Sequence, residues 1–252
     1  MPVKRSQSAS RTLAVLEEIA RRQPIGVSDL SRVMGADKSA VQRAIMTLAD
    51  QGWVQAAGGA PTRWQLTHRI HQVAGQANSR NDLRRRAVPA LEALRDETGE
   101  SALLSVPHER QFLVIEVVES RQILRAAPHV GMDVPVRGSA TGLVLLPHFS
   151  PARQMELLGA APDAALHAAF TATLERGYSV SEGGVVAGST NIGAAIIDLD
   201  GAPLGALVIS APSERAGPEA ARRMGEAVAA AAQRLSRRLV APAMRQEATV
   251  PA

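Results

Sequence analysis

The stretch ADKSAVQRAIMTLADQGWV, residues 36–54, restricts the fold more than any other. It reads as one helix, closed by Gly52 and followed by a short apolar run. Val41, Ile45 and Leu48 stand at i, i+4 and i+7 and define one face to be buried. The other face carries Ser39, Gln42, Arg43, Met46 and Thr47, side chains suited to hydrogen bonding with something polar and anionic. Such a helix needs a small core on one side and open space on the other.

The flanking sequence supplies the core. Arg11 to Arg22 predicts a helix with Leu13, Leu16, Ile19 and Ala20 on one face and Pro24 beyond its end. Ser28 is the expected N-cap of a short second helix carrying Leu30 and Val33, and Gly35 stops it. Asp37 is placed to cap the third helix. Trp53-Val54 and Arg63-Trp64-Gln65-Leu66 read as two short strands around the turn-rich AAGGAPT. Helix, helix, tight turn, helix and hairpin is the order of a winged helix-turn-helix, expected over residues 1–66.

Charge agrees with that order. Residues 1–80 hold 11 Lys/Arg against 5 Asp/Glu, a net of +6, whereas residues 81–252 hold 17 against 19, a net of −2. A basic module that meets a polyanion precedes a nearly neutral module with another task. The last helix of a helix-turn-helix fits the major groove. There Gln42 can pair with adenine and Arg43 with guanine. Lys38, Ser39 and Thr47 suit phosphates, and Arg63 lies beside the glycine-rich wing. With Ser28, these residues form the expected interface with double-stranded DNA.

Residues 67–99 are read as a helical linker. Ile70, Val73 and Ala74 make one stripe; after QANSRN, Leu83, Ala87, Leu91 and Leu94 make another, with Pro89 expected to kink or divide it. From residue 100 the pattern changes. SALLSV, FLVIEVV and QILRAA read as strands, and helices are expected over Ser139–Leu146, Pro151–Leu158, Ala164–Arg176 and Pro218–Leu239. Two apolar runs around Asp200-Gly201 predict a hairpin. Strands and helices without βαβ alternation make this an α+β chain.

The same sequence excludes several chemistries. It has no cysteine, so disulfides, thiolate metal sites and Cys nucleophiles are absent. Of six histidines only His68 and His71 share a helix face, and no nearby carboxylate or thiolate completes a metal site. EGGVVAGSTNIG lacks the Gly-Lys-Ser/Thr of a phosphate loop. Glu116 and Glu119 have no evident acid/base partner. The expectation is a protein that is not an enzyme and takes no cofactor. No run of 18 apolar residues occurs, and MPVKRSQSAS lacks a signal peptide's apolar core. These features read as cytoplasmic, with no membrane partner.

Along nearly its whole length the chain resembles the IclR family of bacterial transcriptional regulators. The resemblance rests on RTLAVLEEIA…VSDLSRVMGADKSAVQRAIMTLADQGWV, ALRDETGESALLSV, PVRGSATGLVLL and RGYSVSEGGVVAGSTNIGAAIIDLDGAPLGALVIS, in that order. It implies a C-terminal GAF-like antiparallel sheet with flanking helices over residues 100–252, serving effector binding and oligomerisation. It also implies a homodimer or homotetramer on a pseudo-palindromic operator. Carried over by position, the effector pocket would be lined by Ile123, Ala126, Ala140, Thr141, Ser181, Ser189, Asn191, Val208 and Ser210. The chain departs from the family at four positions. A usual Lys after Gly142 is Leu143, a usual acidic pair falls on Gly183 and Gly184, and a cysteine common in the family falls on Asn191.

Read without the family, the pocket residues allow two accounts. Ser139 can cap its helix so that the N–H groups of Ala140, Thr141 and Gly142 receive a carboxylate. Alternatively, Ser139 is only a cap and the other serines sit in turns. The resemblance favours the first, with a small, carboxylate-bearing organic effector. The competing readings for residues 100–252 are an enzyme, or a ligand-free dimerisation domain, attached to the DNA-binding module.

Overall fold

The computed structural model describes residues 6–77 and 83–247. The chain divides into two compact units, Met1–Asn81 and Asp82–Ala252. Part of the predicted loop QANSRN lies outside the described residues.

The first unit contains α1 (Gln7–Arg22), β1 (Ile25–Gly26), α2 (Val27–Met34), α3 (Lys38–Asp50), β2 (Val54–Ala56), β3 (Arg63–Leu66) and α4 (Arg69–Ala77). Its core gathers Val15, Ile19, Leu30, Val41, Ile45 and Leu48 from the three helices. Ile45 is fully buried, so truncation to Ala would cost about 2–5 kcal/mol. Gly35 takes φ 56° at the end of α2, and the Asp37 side chain accepts from the Ala40 N–H as N-cap of α3. β3 is central, pairing antiparallel with both β1 and β2.

Three expectations for this unit are corrected. Leu13 and Ala20 are exposed, because Val15, Leu16 and Ile19 form the buried stripe. Leu13 precedes Val15 by two residues, about 200° around the helix. Ser28 is not the cap of α2. Gly26 holds that position without a side-chain bond, because Ile25–Gly26 pairs with β3 and the chain turns into helix directly afterwards. β1 itself was not foreseen.

The second unit contains α5 (Leu83–Thr98), β4 (Ser101–His108), β5 (Gln111–Val118), β6 (Asp133–Val134), α6 (Ala140–Leu145), α7 (Pro151–Leu158), α8 (Ala164–Arg176), β7 (Ser179–Glu182), β8 (Ser189–Ile197), β9 (Pro203–Pro212) and α9 (Pro218–Glu247). The strands form one antiparallel sheet in the order β6-β5-β4-β9-β8-β7. Side chains alternate along each strand. Leu104, Ile192, Ala194, Leu207 and Ile209 face a core shared with α5 and α9. Leu103, Ala206 and Val208 face the other way, toward α6. Both faces are covered, which explains why these strands read as continuous apolar runs.

α7 and α8 keep the predicted bounds, and α9 continues past Leu239 to Glu247. Pro89 does not divide α5: the helix is continuous, with Pro89 exposed and Ala87, Leu91 and Leu94 buried against the sheet. QILRAA is not a strand. Residues 121–129 run as bends and irregular chain, because β6 takes the free edge of β5 through Phe112↔Val134. Among the described residues no helix is long and apolar enough to cross a membrane.

Candidate functional site

Two places bring the candidate residues together, one in each unit. The first is the outer face of α3. Lys38, Ser39, Gln42, Arg43, Met46 and Thr47 are all exposed, and Ala40, Val41, Ala44, Ile45 and Leu48 are buried beneath them. A short relay orders the start of this face. Ser39 Oγ donates to Asp37 Oδ2 at 2.5 Å, and Arg43 Nη1 donates to Ser39 Oγ at 3.1 Å. The bond from Ser39, helped by the Ala40 N–H, holds the Asp37 carboxyl below the usual carboxylate range. Gln42 makes no side-chain hydrogen bond among the described residues, so its carboxamide is free for another partner. Arg63 is exposed on β3 but donates to Pro24 O at 3.3 Å, away from the loop tip that separates β2 from β3. Ser28 is exposed at the second position of α2, off α3.

The second place is a cavity of about 360 Å³ between the sheet and α6. Ala126, Ser139, Ala140, Thr141, Ser189, Asn191, Val208 and Ser210 line it. Ile123 does not: it is fully exposed on the irregular segment read as a strand. Nor does Ser181, which turns its hydroxyl to Gly138 O. Apolar walls that sequence reasoning missed come from Leu103, Val114, Met132 and Val134. β6, unforeseen, supplies the last of these. Residues 124–128 also line the cavity and bring Arg125 to it.

Strand register explains how the polar groups collect. Ser101 pairs with Ser210, Ser210 with Asn191, and Asn191 with Ser181, so one row of polar residues crosses β4, β9, β8 and β7. Directly paired residues share a face. The outer two are used structurally: Ser101 Oγ donates to Ala126 O at 2.9 Å, and Ser181 bonds to Gly138 O. The inner two are not fully used. Ser210, buried to 5% exposure, has no hydrogen-bond partner among the described residues. Asn191 makes one long bond, Nδ2 to Ser189 Oγ at 3.4 Å. Neither side chain leaves a sealed polar atom unpaired, so the free oxygens of both are open to whatever occupies the cavity they line.

The other hydroxyls are committed. Ser139 Oγ donates to Pro135 O at 2.5 Å and accepts from the Gly142 N–H at 3.0 Å. That corrects the expectation that Gly142 offers its N–H to a ligand. A Cβ at Gly142 would stand 2.0 Å from Val136 O, so this residue faces the preceding chain. Thr141 Oγ1 lies 3.1 Å from Ser105 Oγ, and Ser189 Oγ donates to Val186 O at 2.7 Å. Gly184 explains one departure noted above. A Cβ there would meet Gly138 O at 1.8 Å, so the wall that packs on this turn has no room for an acidic side chain.

A third feature, the pair His68 and His71, has ring centroids 6.2 Å apart. Among the described residues no group of three His, Asp or Glu is placed to hold a metal ion.

Comparison with known proteins matches both the N-terminal and the C-terminal part of the chain to one family. Residues 8–58 match the family model described as the IclR helix-turn-helix domain, and residues 75–237 match bacterial transcriptional regulator IclR C-terminal. The acetate operon repressor of Salmonella typhimurium strain LT2 is 26% identical over 247 residues, covering 91% of this chain and 89% of that protein. The glycerol operon regulatory protein of Streptomyces coelicolor is 29% identical over 225 residues, covering 83% and 86%. Among solved structures, an IclR homolog from Microbacterium hydrocarbonoxydans complexed with 4-hydroxybenzoate superposes with TM-score 0.79 at 22% identity, over 92% of this chain and 99% of that one.

Proposed function

Because the chain belongs to the IclR family of bacterial transcriptional regulators, we propose how its residues divide the work of DNA binding and effector sensing. It is a DNA-binding regulator with a helix-turn-helix domain and an effector-binding domain. The outer face of α3 enters the major groove. Gln42 and Arg43 read base edges, Met46 offers an apolar contact, and Lys38, Ser39 and Thr47 hold phosphates. Arg63 supports the wing through Pro24. The observation that carries this reading is the division of α3 into five buried small or apolar residues and seven exposed ones, six of them polar.

The cavity takes a small organic effector that bears a carboxylate. A homologue crystallised with 4-hydroxybenzoate supports that class, as do the buried, incompletely paired Asn191 and Ser210. The protein acts in the cytoplasm, as a dimer or tetramer on a pseudo-palindromic operator, and catalyses nothing. The effector works by favouring one of two states that differ in DNA-binding geometry, since a ligand of equal affinity for both shifts nothing.

The test is a footprint on DNA flanking the gene, read with transcript levels of adjacent genes with and without the protein. Protection of two half-sites roughly one helical turn apart, or a multiple, is expected. Protection of a single half-site at saturation rejects the dimer. Unchanged transcripts reject the regulatory role at that locus.

A further inference from the structure

Among the described residues that line the effector cavity Arg125 is the one that is charged, and nothing above assigns it a task. Its guanidinium is turned to Glu119, Nη2 to Oε2 at 2.7 Å, with side chains 36% and 55% exposed. Its backbone is held on both sides. Leu124 O accepts from Arg215 Nη2 at 3.1 Å, and Ala126 O accepts from Ser101 Oγ at 2.9 Å. Arg215 is itself fixed by two bonds to the buried Glu100, at 2.6 and 2.7 Å. The tie on the Arg125 side chain is the exposed pair with Glu119.

We propose that Arg125 is the residue that reads the effector's charge, exchanging Glu119 for the carboxylate of a hydroxy acid. The hydroxyl of that acid completes Asn191 and Ser210. This rests on the reading of the cavity as the effector site.

Three arguments support the exchange. An ion pair this exposed contributes little, so giving up Glu119 costs little. A carboxylate at the edge of a mainly apolar cavity meets the same guanidinium in a lower dielectric, where a two-pronged pair is stronger. At the turn before α6, Ser139 Oγ already occupies the Gly142 N–H, and among the described lining residues only Arg125 offers a formal positive charge.

Size narrows the class further. A cavity of about 360 Å³ has room for a ligand several times larger than a water molecule. Two- and three-carbon acids leave most of it unfilled. A ring or a chain of six or more carbons, with one carboxylate and one hydroxyl, fills it and satisfies both polar ends.

The test is calorimetric titration of the full chain with 4-hydroxybenzoate, 4-hydroxyphenylacetate and 6-hydroxyhexanoate. Each is compared with its neutral primary amide, and acetate is the small control. Wild type is expected to bind at least one acid about tenfold or more tighter than its amide, and acetate far more weakly. Arg125→Gln should bring acid down to amide with the amide unchanged. Glu119→Gln should tighten the acid several-fold by removing the competitor. If Arg125→Gln keeps the wild-type preference for acid, or Glu119→Gln leaves acid binding unchanged, the exchange is wrong. If acid and amide bind wild type equally, the cavity reading stands and the role of Arg125 falls. If no acid and no amide binds, the cavity is not a site for this ligand class and both readings fall.

Discussion

Asn191 and Ser210 stand opposite each other on neighbouring strands β8 and β9, at the middle of a polar row whose outer members are already hydrogen-bonded. The inner and outer members should therefore respond differently to truncation. Ser210→Ala should weaken the effector by about 0.5–1.5 kcal/mol, the net worth of an ordinary hydrogen bond, and leave stability nearly unchanged. Ser101→Ala removes the donor to Ala126 O and should lower stability instead. Titration calorimetry and chemical denaturation of both variants separate the roles. Equal effects on binding and stability at both positions would reject the division.

Arg43 donates to Ser39 on the exposed face of α3. Arg43→Ala should weaken specific operator binding by about 1–3 kcal/mol and relax preference at one base position. Equal loss on operator and on random DNA would make Arg43 a phosphate contact. Binding should also fall steeply with salt, given the net +6 of residues 1–80 (11 basic, 5 acidic). Fluorescence anisotropy across a salt series checks both, and a flat response would reject extensive phosphate neutralisation.

Glu100 is 2% exposed and paired twice with Arg215, whose own side chain is 30% exposed. Removing one partner of a buried pair strands the other charge. Arg215→Met should cost about 3 kcal/mol of stability, the lower end expected because Arg215 is partly solvated. Glu100→Gln combined with Arg215→Met should recover much of that loss. Denaturation midpoints of the single and double variants measure it. An Arg215→Met variant as stable as wild type would show that Glu100 finds water or another donor.

The sequence made some of this legible and hid the rest for physical reasons. α7 and α8 were readable because their caps are local: Ser150 and Asp163 accept from the helix N–H groups three residues on, and Gly159 and Gly177 end the helices at positive φ. The face of α3 was readable from its period. The polar row was not, because register between Ser101, Ser210, Asn191 and Ser181 joins residues far apart in sequence. Arg125 is not legible as a cavity residue because QILRAA has strand composition. Its backbone acceptors are taken by Ser101 and Arg215 side chains, which no local pattern announces. β1, β6 and β7 are only 2 to 4 residues long, too short for a period to show.

His148 is partly buried in the turn after α6, and burial holds its pKa below the usual histidine value. The neutral form is therefore favoured by folding. As pH falls through the ordinary histidine range, the unfolded chain takes up this proton first, and stability drops until the folded value is passed. Above that range the residue contributes no pH dependence. His148→Gln should flatten the stability–pH curve on the acid side of neutrality relative to wild type. Identical curves for the two proteins would place the acid sensitivity elsewhere.

The sharpest test of coupling fills the cavity without touching DNA. Val208 is 3% exposed on β9, lines the cavity, and belongs to the core beneath α6. A phenylalanine there projects from the sheet into space that a ligand would occupy. Overpacking costs about 1–3 kcal/mol, small enough that the unit should still fold. Ala140→Trp, from the opposite wall, is the second route to the same block. Both variants should bind operator with wild-type salt dependence when no effector is present. Neither should bind the effector, and operator affinity should then stay constant across an effector titration. The filled state mimics either the empty or the occupied protein, which fixes the operator affinity at one of the two wild-type limits. Calorimetry with effector and anisotropy with operator read the two halves separately. A variant that still binds effector and releases operator as wild type does would move the sensing site out of this cavity. One that loses effector binding but keeps its operator response would break the link between cavity and regulation.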